Sequence, residues 1–416
     1  MAEQHGKALV PQIRFAGFTD PWEQRKLEDY VVVSTAKNVD GRFNKEDVLS
    51  VSGEYGIVNQ IAFQGRSFAG SSVLNYGIVN TGDIVYTKSP LNSNPYGIIK
   101  VNKGIPGIVS TLYAVYRPQD NVHTNFIQVY FEQHERMNNY MHPLVNKGAK
   151  NDMKVTAENA LKGVVTFPSR EEQVIISEFF DRLDSLITLH QRKYDKLCVL
   201  KKSMLDKMFP KGGSLYPEIR FAGFTDPWEQ RKLGEVARRV TRKNENRDSD
   251  LPLTISAQYG LVDQRTFFNN QVASKDMSGY FLLRKGEFAY NKSTSTDSPW
   301  GAIKRLEKYD MGCVSTLYIC FELLSGDPDF LVTYYETDRW YKAVQLIAAE
   351  GARNHGLLNI APDDFFETQI CIPKRIDEQR QIGAFFDRLD SLITLHQRKL
   401  ELLRNIKKSM LDKMFV

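Results

Sequence analysis

Two stretches of the sequence carry side chains that could bind a nucleic acid. They read YTKSPLNSNPYGIIK at Tyr86–Lys100 and YNKSTSTDSPWGAIK at Tyr290–Lys304. Lysine neutralises phosphate, and hydroxyl and amide groups form hydrogen bonds with phosphate oxygens or base edges. Either stretch alone would be typical of a solvated surface loop. Their recurrence at equivalent places favours a binding role.

Matched positions in these stretches predict phosphate contacts, and differing positions predict base discrimination. Lys88 and Ser89 align with Lys292 and Ser293, so these four are expected to hold phosphate. The differing positions, at which base choice is expected, are Asn92, Asn94, Thr294 and Thr296. The other predicted DNA contacts in these stretches are Tyr96, Lys100, Trp300 and Lys304.

A second pair of loops reads NKGAKND at Asn146–Asp152 and AEGARNH at Ala349–His355. Gly148 and Gly351 permit close approach of the backbone to a ligand. The DNA contacts predicted in this pair are Lys147, Lys150, Asn151, Arg353 and Asn354.

The sequence lacks the motifs of common enzyme sites. It contains no GxxxxGK[ST] phosphate loop, no HExxH zinc motif and no HxE…PCxxC deaminase pattern. It also lacks the Asn/Asp-Pro-Pro-Tyr motif of amino-methyltransferases. The four cysteines show no CxxC spacing, which predicts reduced thiols and no metal site. We therefore expect no catalytic residues on this chain.

Composition is ordinary for a soluble protein. Hydrophobic residues make up 42% and charged residues 25%, and the net charge of +5 permits an acidic partner without requiring one. No apolar run approaches the ~20 residues needed to span a bilayer. We expect a cytoplasmic protein without a membrane partner.

Long segments of the chain occur twice. FFDRLDSLITLHQRK at Phe179–Lys193 returns unchanged at Phe385–Lys399, and IRFAGFTDPWEQRKL at Ile13–Leu27 returns at Ile219–Leu233. Both copies of KKSMLDKMF keep the same spacing. The sequence between these segments has diverged much further. We infer that the repeated segments contact one kind of partner twice. The diverged regions between them are then expected to contact two different targets.

The repeated segments include a long helix. No Gly or Pro interrupts the helical apolar pattern from Glu171 to Phe209, which predicts one helix of roughly 58 Å. Its 3-4 spacing is typical of a coiled-coil seam. Lys201 and Lys407 lie in the same rows and are expected to extend towards solvent. The predicted seam and subunit-interface residues are Phe180, Leu183, Ile187, His190, Leu197, Phe386, Leu389, Ile393, His396 and Leu403.

The fold class expected is mixed α/β. Two similar globular domains, each rich in short strands, are expected to be separated by two long helices. The linker PKGGSLY is short, so the second helix is expected to run back antiparallel to the first, with a pseudo-two-fold axis. Single helices are expected near Asn125–Met141 and Pro328–Ala349. The predicted boundaries are 1–170 and 211–376 for the recognition domains and 171–210 and 377–416 for the helical spacers.

This layout resembles the specificity subunit of Type I restriction-modification systems over essentially the whole chain. The IRFAGFTDPWEQRKL openings resemble the segments that border each target-recognition domain in that family. The long helices, which open with Glu172–Gln173 and Glu378–Gln379, also resemble bordering segments in that family. The resemblance identifies no target sequence.

The resemblance implies a non-catalytic subunit that binds an asymmetric, two-part site in double-stranded DNA. It also implies two modification subunits, forming an adenine methyltransferase, and restriction subunits that join through them. S-adenosylmethionine, ATP and Mg²⁺ would then belong to the partner chains, with no cofactor on this one.

Two other classes of protein stay open on the residues alone. One is a coiled-coil scaffold presenting two protein- or glycan-binding domains. The other is a stand-alone DNA enzyme. Binding of a duplex library and methylation sequencing of the host would discriminate among the three.

Overall fold

The computed structural model describes residues 9–88, 94–145, 155–256, 259–268, 273–296, 298–348 and 356–416. The chain divides into two compact units. Unit 1 comprises residues 1–191 together with 398–416, and unit 2 comprises residues 192–397. In the described part of the chain, every helix is too short or too polar to cross a membrane.

Unit 1 contains a four-stranded antiparallel sheet in the order β2-β9-β6-β7, with three further antiparallel pairs, β1-β10, β3-β4 and β5-β8. The strands are β1 Glu23–Lys26, β2 Val31–Val33, β3 Leu49–Ser52, β4 Gly56–Asn59, β5 Gly77–Val79, β6 Ile84–Tyr86, β7 Ile99–Val101, β8 Gly107–Val109, β9 Ala114–Pro118 and β10 Val164–Phe167. Its α-helices are α1 Gln60–Gln64, α2 Thr124–Tyr130, α3 His134–Met141, the first part of α4 Arg170–Lys207 and the end of α10 Ile376–Lys413. Short 3-10 helices lie at Leu27–Asp29, Lys45–Asp47, His142–Leu144 and Asn159–Leu161.

Unit 2 repeats this arrangement with its own strands, in a sheet of order β12-β19-β16-β17 and pairs β11-β20, β13-β14 and β15-β18. The strands are β11 Glu229–Lys232, β12 Ala237–Arg239, β13 Leu253–Ser256, β14 Gly260–Asp263, β15 Phe281–Arg284, β16 Phe288–Asn291, β17 Ala302–Arg305, β18 Met311–Val314, β19 Ile319–Leu323 and β20 Gln369–Ile372. Its helices are the end of α4, then α5 Leu233–Val236, α6 Gln264–Phe268, α7 Pro328–Tyr334, α8 Tyr341–Ile347, α9 Pro362–Phe366 and the first part of α10 Ile376–Lys413. The predicted mixed α/β fold is confirmed, and the predicted pseudo-two-fold axis stays a prediction.

The inner strands β6 and β16 are largely apolar because both of their faces are buried. In β6, Ile84 and Tyr86 enter one hydrophobic cluster while Val85 enters another on the opposite face. The equivalent β16 divides in the same way, with Phe288 and Tyr290 on one face. Successive strand residues point to opposite faces, so a strand buried on both sides reads as a continuous apolar run.

The single helices expected near Asn125–Met141 and Pro328–Ala349 are each two shorter helices. In unit 1, α2 ends at Tyr130 and α3 begins at His134. The break places Phe131 in the core and lets Glu132 bond to Lys407 at 2.7 Å. Tertiary contacts therefore override a helical pattern that was correct on either side of the break.

The long helices are close to their predicted bounds, and their halves pair in opposite directions within each unit. In unit 1, the Phe180 ring lies 6.1 Å from that of Phe415, and Asp184, one turn later in α4, bonds to Lys407. In unit 2, Phe386 lies 6.3 Å from Phe209, while Asp390 bonds to Lys201. Residue numbers rise along one helix as they fall along the other, as the antiparallel expectation requires.

Lys201 and Lys407 are half-buried and held in ion pairs, so their expected extension towards solvent is wrong. Lys407 bonds to Glu132 and Asp184, and Lys201 contacts Glu336 and Asp390 at 2.7 and 2.6 Å. Burial alone would lower the pKa of Lys407, but the two carboxylates outweigh it and its pKa is raised. These pairs tie each helical half to the domain beside it.

A buried ion pair fastens the repeated opening segment to the helix that follows each domain. Arg14 donates two hydrogen bonds to Glu172, at 2.8 and 2.7 Å, and Arg220 donates two to Glu378, at 2.7 and 2.8 Å. Both glutamate side chains are 1% exposed. In unit 2, Trp228 Nε1 also donates to Glu378. We call each pair a latch.

Removing the charge of a latch glutamate should destabilise the unit that contains it. Glu172→Gln leaves the half-buried Arg14 guanidinium without its counter-charge, so the free energy of unfolding should fall by about 3 kcal/mol. Urea unfolding of the full chain measures the change. The matched control is Glu171→Gln, because Glu171 is exposed. Equal midpoints for both variants would contradict a latch.

Candidate nucleic-acid interface

In unit 1, strand directions bring three connections to one end of the domain. Tyr86 pairs with Ala114, so the segment after β6 and the turn before β9 emerge together. Lys88 Nζ donates to the Thr111 carbonyl at 3.2 Å across these two connections. Val48 bridges Ile108 in parallel, so the turn after β3 lies at the same end as the turn after β8. We call this end of each unit the loop end.

Unit 2 builds its loop end in the same way. Tyr290 pairs with Ile319, and Pro252 bridges Cys313 in parallel. A further segment joins here, because Thr294 N donates to the Gly356 carbonyl at 2.7 Å. The structure thus places the described part of the first predicted loop of unit 2 beside Gly356, at one end of the unit, while the second predicted loop, Ala349–His355, lies outside the described residues.

The two matched lysines are held by backbone carbonyls. Lys88 bonds to Thr111, and Lys292 Nζ donates to Ile360 O at 3.2 Å. Burial lowers the pKa of Lys88, and it lowers the pKa of Lys292 as well. A bound phosphate would oppose that shift because an adjacent negative charge favours the protonated amine. Lys88 also has a positive φ of 52°.

Tyr96 and Trp300 anchor the loops to the domain core. Their carbonyls accept hydrogen bonds from the hydroxyls of Tyr86 and Tyr290, both at 2.7 Å. Both side chains are half-buried against the adjoining core. DNA contacts by Tyr96 and Trp300 stay predictions. In the structure these two residues fix the position of the loops that contain them.

Lys100 and Lys304 lie on strands beside acidic residues. Lys100 is 8% exposed, and burial lowers its pKa although Glu132 opposes that shift. Lys304 lies 3.6 Å from Glu336. Neither residue needs a phosphate to satisfy its charge in this arrangement, so neither enters the proposal below.

Among the predicted base-discriminating residues, Thr294 has a defined partner and Thr296 is exposed. Thr294 Oγ1 donates to the Gly356 carbonyl at 3.0 Å, while Ser293 beside it is exposed. The Asn94 carbonyl accepts from Gly97 N at 3.0 Å. Other predicted contacts lie outside the described residues: Ser89, Asn92, Lys147, Lys150, Asn151, Arg353 and Asn354.

At the base of the loop in unit 2, a glycine allows two backbone segments to approach each other closely. Gly301 has a φ of 82°, and a Cβ there would lie 2.2 Å from the Asn291 carbonyl oxygen. Only glycine fits both requirements. The equivalent Gly97 has a φ of 80°. This explains why the glycine recurs in YGIIK and WGAIK.

Sequence reasoning missed several exposed residues at the loop ends. Tyr55 lies in the β3-β4 turn at 62% exposure, and Tyr259, its equivalent in unit 2, has Lys308 above its ring at 5.7 Å. Lys37 and Lys243 also lie at the loop ends. Lys37 forms a β-bridge with Gly77, the first residue of β5, and Lys243 forms one with Phe281, the first residue of β15. Each of these lysines is followed by an asparagine, in segments that otherwise differ between the two units. That repeated Lys-Asn pair is the sequence feature that could have identified the two lysines.

The predicted seam residues occupy the inner side of the helices within each unit. Phe180, Leu183, Phe386 and Leu389 are buried. Half-buried are Ile187, His190, Leu197, Ile393, His396 and Leu403. Four repeated leucines, which we call the outer leucines, are instead 43–46% exposed: Leu186, Leu189, Leu392 and Leu395.

The described residues contain no group of three or more His, Cys, Asp or Glu arranged to hold a metal ion. The arrangement at each loop end offers lysines, hydroxyl groups and aromatic rings on a rigid frame. Such a surface suits binding of a polyanion.

Comparison with known proteins adds family and fold. Residues 19–198 match the family described as the Type I restriction modification DNA specificity domain. No curated protein matches the chain. A Type I restriction-modification S subunit from M. genitalium is 12% identical, with a TM-score of 0.59 and 98% of this chain and 99% of that chain covered. The HsdS subunit from Thermoanaerobacter tengcongensis is 14% identical, with a TM-score of 0.44 and 96% and 98% covered.

The matched family is a DNA-specificity component and not a catalytic one. The M. genitalium likeness extends the fold beyond the matched residues to nearly the whole chain. Residues 19–198 are therefore similar to a Type I restriction modification DNA specificity domain, and nearly the whole chain has the fold of the M. genitalium S subunit.

Proposed function

We propose that this chain is the DNA-recognition subunit of a Type I restriction-modification enzyme. Each unit binds one half of an asymmetric target in double-stranded DNA, and the bases between the halves are not read. One observation carries the proposal: two loop ends share a backbone frame but present different side chains. A shared frame gives similar docking, and different side chains give different base preferences.

The frame and the reading positions are separate in each unit. Lys88 and Lys292 recur at equivalent places and hold phosphates, which fixes the position of the domain on the duplex. Asn94 in unit 1 and Thr294 and Thr296 in unit 2 are polar residues at positions that differ, so they can discriminate base edges. The target is therefore asymmetric although the frame is repeated.

Two modification subunits bind the repeated surfaces. The outer leucines occur in both copies of LDSLITLHQRK, on α4 and α10. Exposed apolar residues that recur on a surface helix suit a protein partner. Restriction subunits join through the modification subunits. S-adenosylmethionine, ATP and Mg²⁺ are bound by those partners in the cytoplasm, where the DNA lies.

Exchange of one recognition domain tests the proposed function. The chain and the modification subunit encoded with it are expressed in a host without adenine methylation, and the genome is sequenced for methylated adenine. We expect one two-part asymmetric motif. Replacing residues 28–170 by the corresponding segment of a related S subunit should change one half of the motif and leave the other half.

The unmodified chain is the control for this exchange. Absence of any methylated motif with the unmodified chain would contradict the proposed function. A chimaera that changes both halves, with the unmodified motif intact, would contradict independent reading by the two units.

Substitution of the outer leucines tests the proposed docking surface. Leu186→Gln with Leu189→Gln should remove one modification subunit from the complex and leave the other, because apolar anchors contribute most of an interface's binding energy. Native mass spectrometry gives the stoichiometry. The control is Val199→Gln, since Val199 is on the same helix and 69% exposed but lies outside the repeat. Two bound copies in the leucine variant would contradict docking at this surface.

A further inference from the structure

Two turns of identical sequence lie at the loop ends of the two diverged units. VSTLY occupies Val109–Tyr113 in unit 1 and Val314–Tyr318 in unit 2. Each turn has the same two internal hydrogen bonds. Leu112 N donates to Ser110 Oγ at 3.3 Å, and Leu317 N donates to Ser315 Oγ at 3.3 Å. The following tyrosine N–H then donates to the serine carbonyl.

These turns hold a leucine in solvent. Leu112 is 65% exposed and Leu317 is 55% exposed. The next residues, Tyr113 and Tyr318, pack against the domain cores. The tyrosine therefore fixes the turn to the domain, while the leucine projects from it. Folding gains little from an exposed leucine, so its presence at both equivalent positions points to a contact with another molecule.

Strand pairing places two lysines near each turn. In unit 1, Lys88 bonds to Thr111, the residue before Leu112. Lys37 bridges Gly77, which pairs with Val109 at the start of the turn. An apolar tip between two cations suits a polyanion that also has apolar surface, which describes the sugar and base faces of DNA.

Unit 2 has equivalent residues at this place, although Lys292 Nζ bonds to the Ile360 carbonyl and not to the turn. Lys243 bridges Phe281, which pairs with Val314 at the start of the turn, and its Nζ lies 4.0 Å from the ring centroid. Lys292 is the equivalent of Lys88 and follows β16, whose Tyr290 pairs with Ile319 just beyond the turn. The leucine and both lysines therefore recur, although most of the surrounding loop sequence differs.

We propose that Leu112 and Leu317 contact DNA without selecting a base sequence. Each packs on sugar or base carbon atoms while the adjacent lysines hold phosphates, and this contact seats the domain so that its variable loops reach the base edges. The inference rests on the proposed function and adds residues that position the reader. Leucine has no hydrogen-bonding group with which to read a polar base edge, and its identity in two units with different reading loops agrees with a sequence-independent contact.

The test compares two leucines that flank one strand. Leu317 precedes β19 at the loop end, and Leu324 follows β19 at its other end. Their exposures are 55% and 56%, so Leu324→Ser is a matched control for Leu317→Ser. Both variants are introduced into the full chain, and the complex that copurifies with it is titrated against a fluorescent duplex of random sequence.

Leu317→Ser should weaken binding about tenfold, whereas Leu324→Ser should change it by less than about twofold. The salt dependence of binding should be the same in both variants because neither substitution removes a phosphate contact. Thermal unfolding of both variants should match that of the unmodified chain, because both residues are exposed. The methylated motif in the host should also be unchanged by Leu317→Ser.

Equal affinity of the two variants would overturn this inference and leave the proposed function standing. A changed methylation motif in Leu317→Ser would also overturn it, because the leucine would then discriminate bases. Unchanged DNA affinity with loss of a copurifying protein would assign the turn to a protein partner and overturn it too. Absence of DNA binding by the unmodified complex would overturn both the inference and the proposed function.

Discussion

Burial of a phenylalanine just beyond each long helix is the contact on which both units depend. In unit 1, Phe415 lies among Trp22, Phe126 and Tyr130, with ring centroids 5.7–6.0 Å apart. In unit 2, Phe209 lies 5.8 Å from both Trp228 and Phe330. Such aromatic clusters contribute much of the apolar area that a core removes from water. Each unit is therefore completed by residues that follow the helix leaving the other unit along the chain.

This arrangement explains why the repeated segments are nearly identical in the two copies while the loops differ. The opening segment contributes Trp22 to the aromatic cluster and Arg14 to the latch, so its residues are constrained by two partners. The loops at each loop end connect strands whose two faces are both buried in hydrophobic clusters. Exchange of loop side chains does not disturb those faces. One scaffold can then carry two different sets of loop side chains.

The long helices could be predicted from the sequence, whereas ion pairs between residues far apart in the chain could not. The expected helix from Glu171 to Phe209 lies within two residues of the observed Arg170–Lys207 at either end, because no Gly or Pro interrupts its pattern. The ion pairs of Lys407 could not be read from the sequence. Its partners, Glu132 and Asp184, lie 275 and 223 residues away.

The loop ends were predicted only in part for a similar reason. The resemblance of two Lys- and Ser-containing stretches marked Lys88 and Lys292 correctly as equivalent positions. It did not reveal that Tyr96 and Trp300 lie half-buried against the core, because that packing depends on cluster residues that are distant in sequence. The recurrence of VSTLY can be read from the sequence, but the position of this turn beside Lys88 depends on strand pairing. A short apolar residue in a Ser-Thr-Leu-Tyr string gives no such signal alone.

The central claim is that the two units are separate DNA readers on one scaffold. Hydroxyl-radical footprinting of the assembled complex on a duplex containing its methylated motif tests this most directly, because it reports protection at each sugar. We expect two protected segments, one over each half of the motif, separated by sugars with less protection. A single protected segment over one half, or uniform protection across the whole site, would contradict the account.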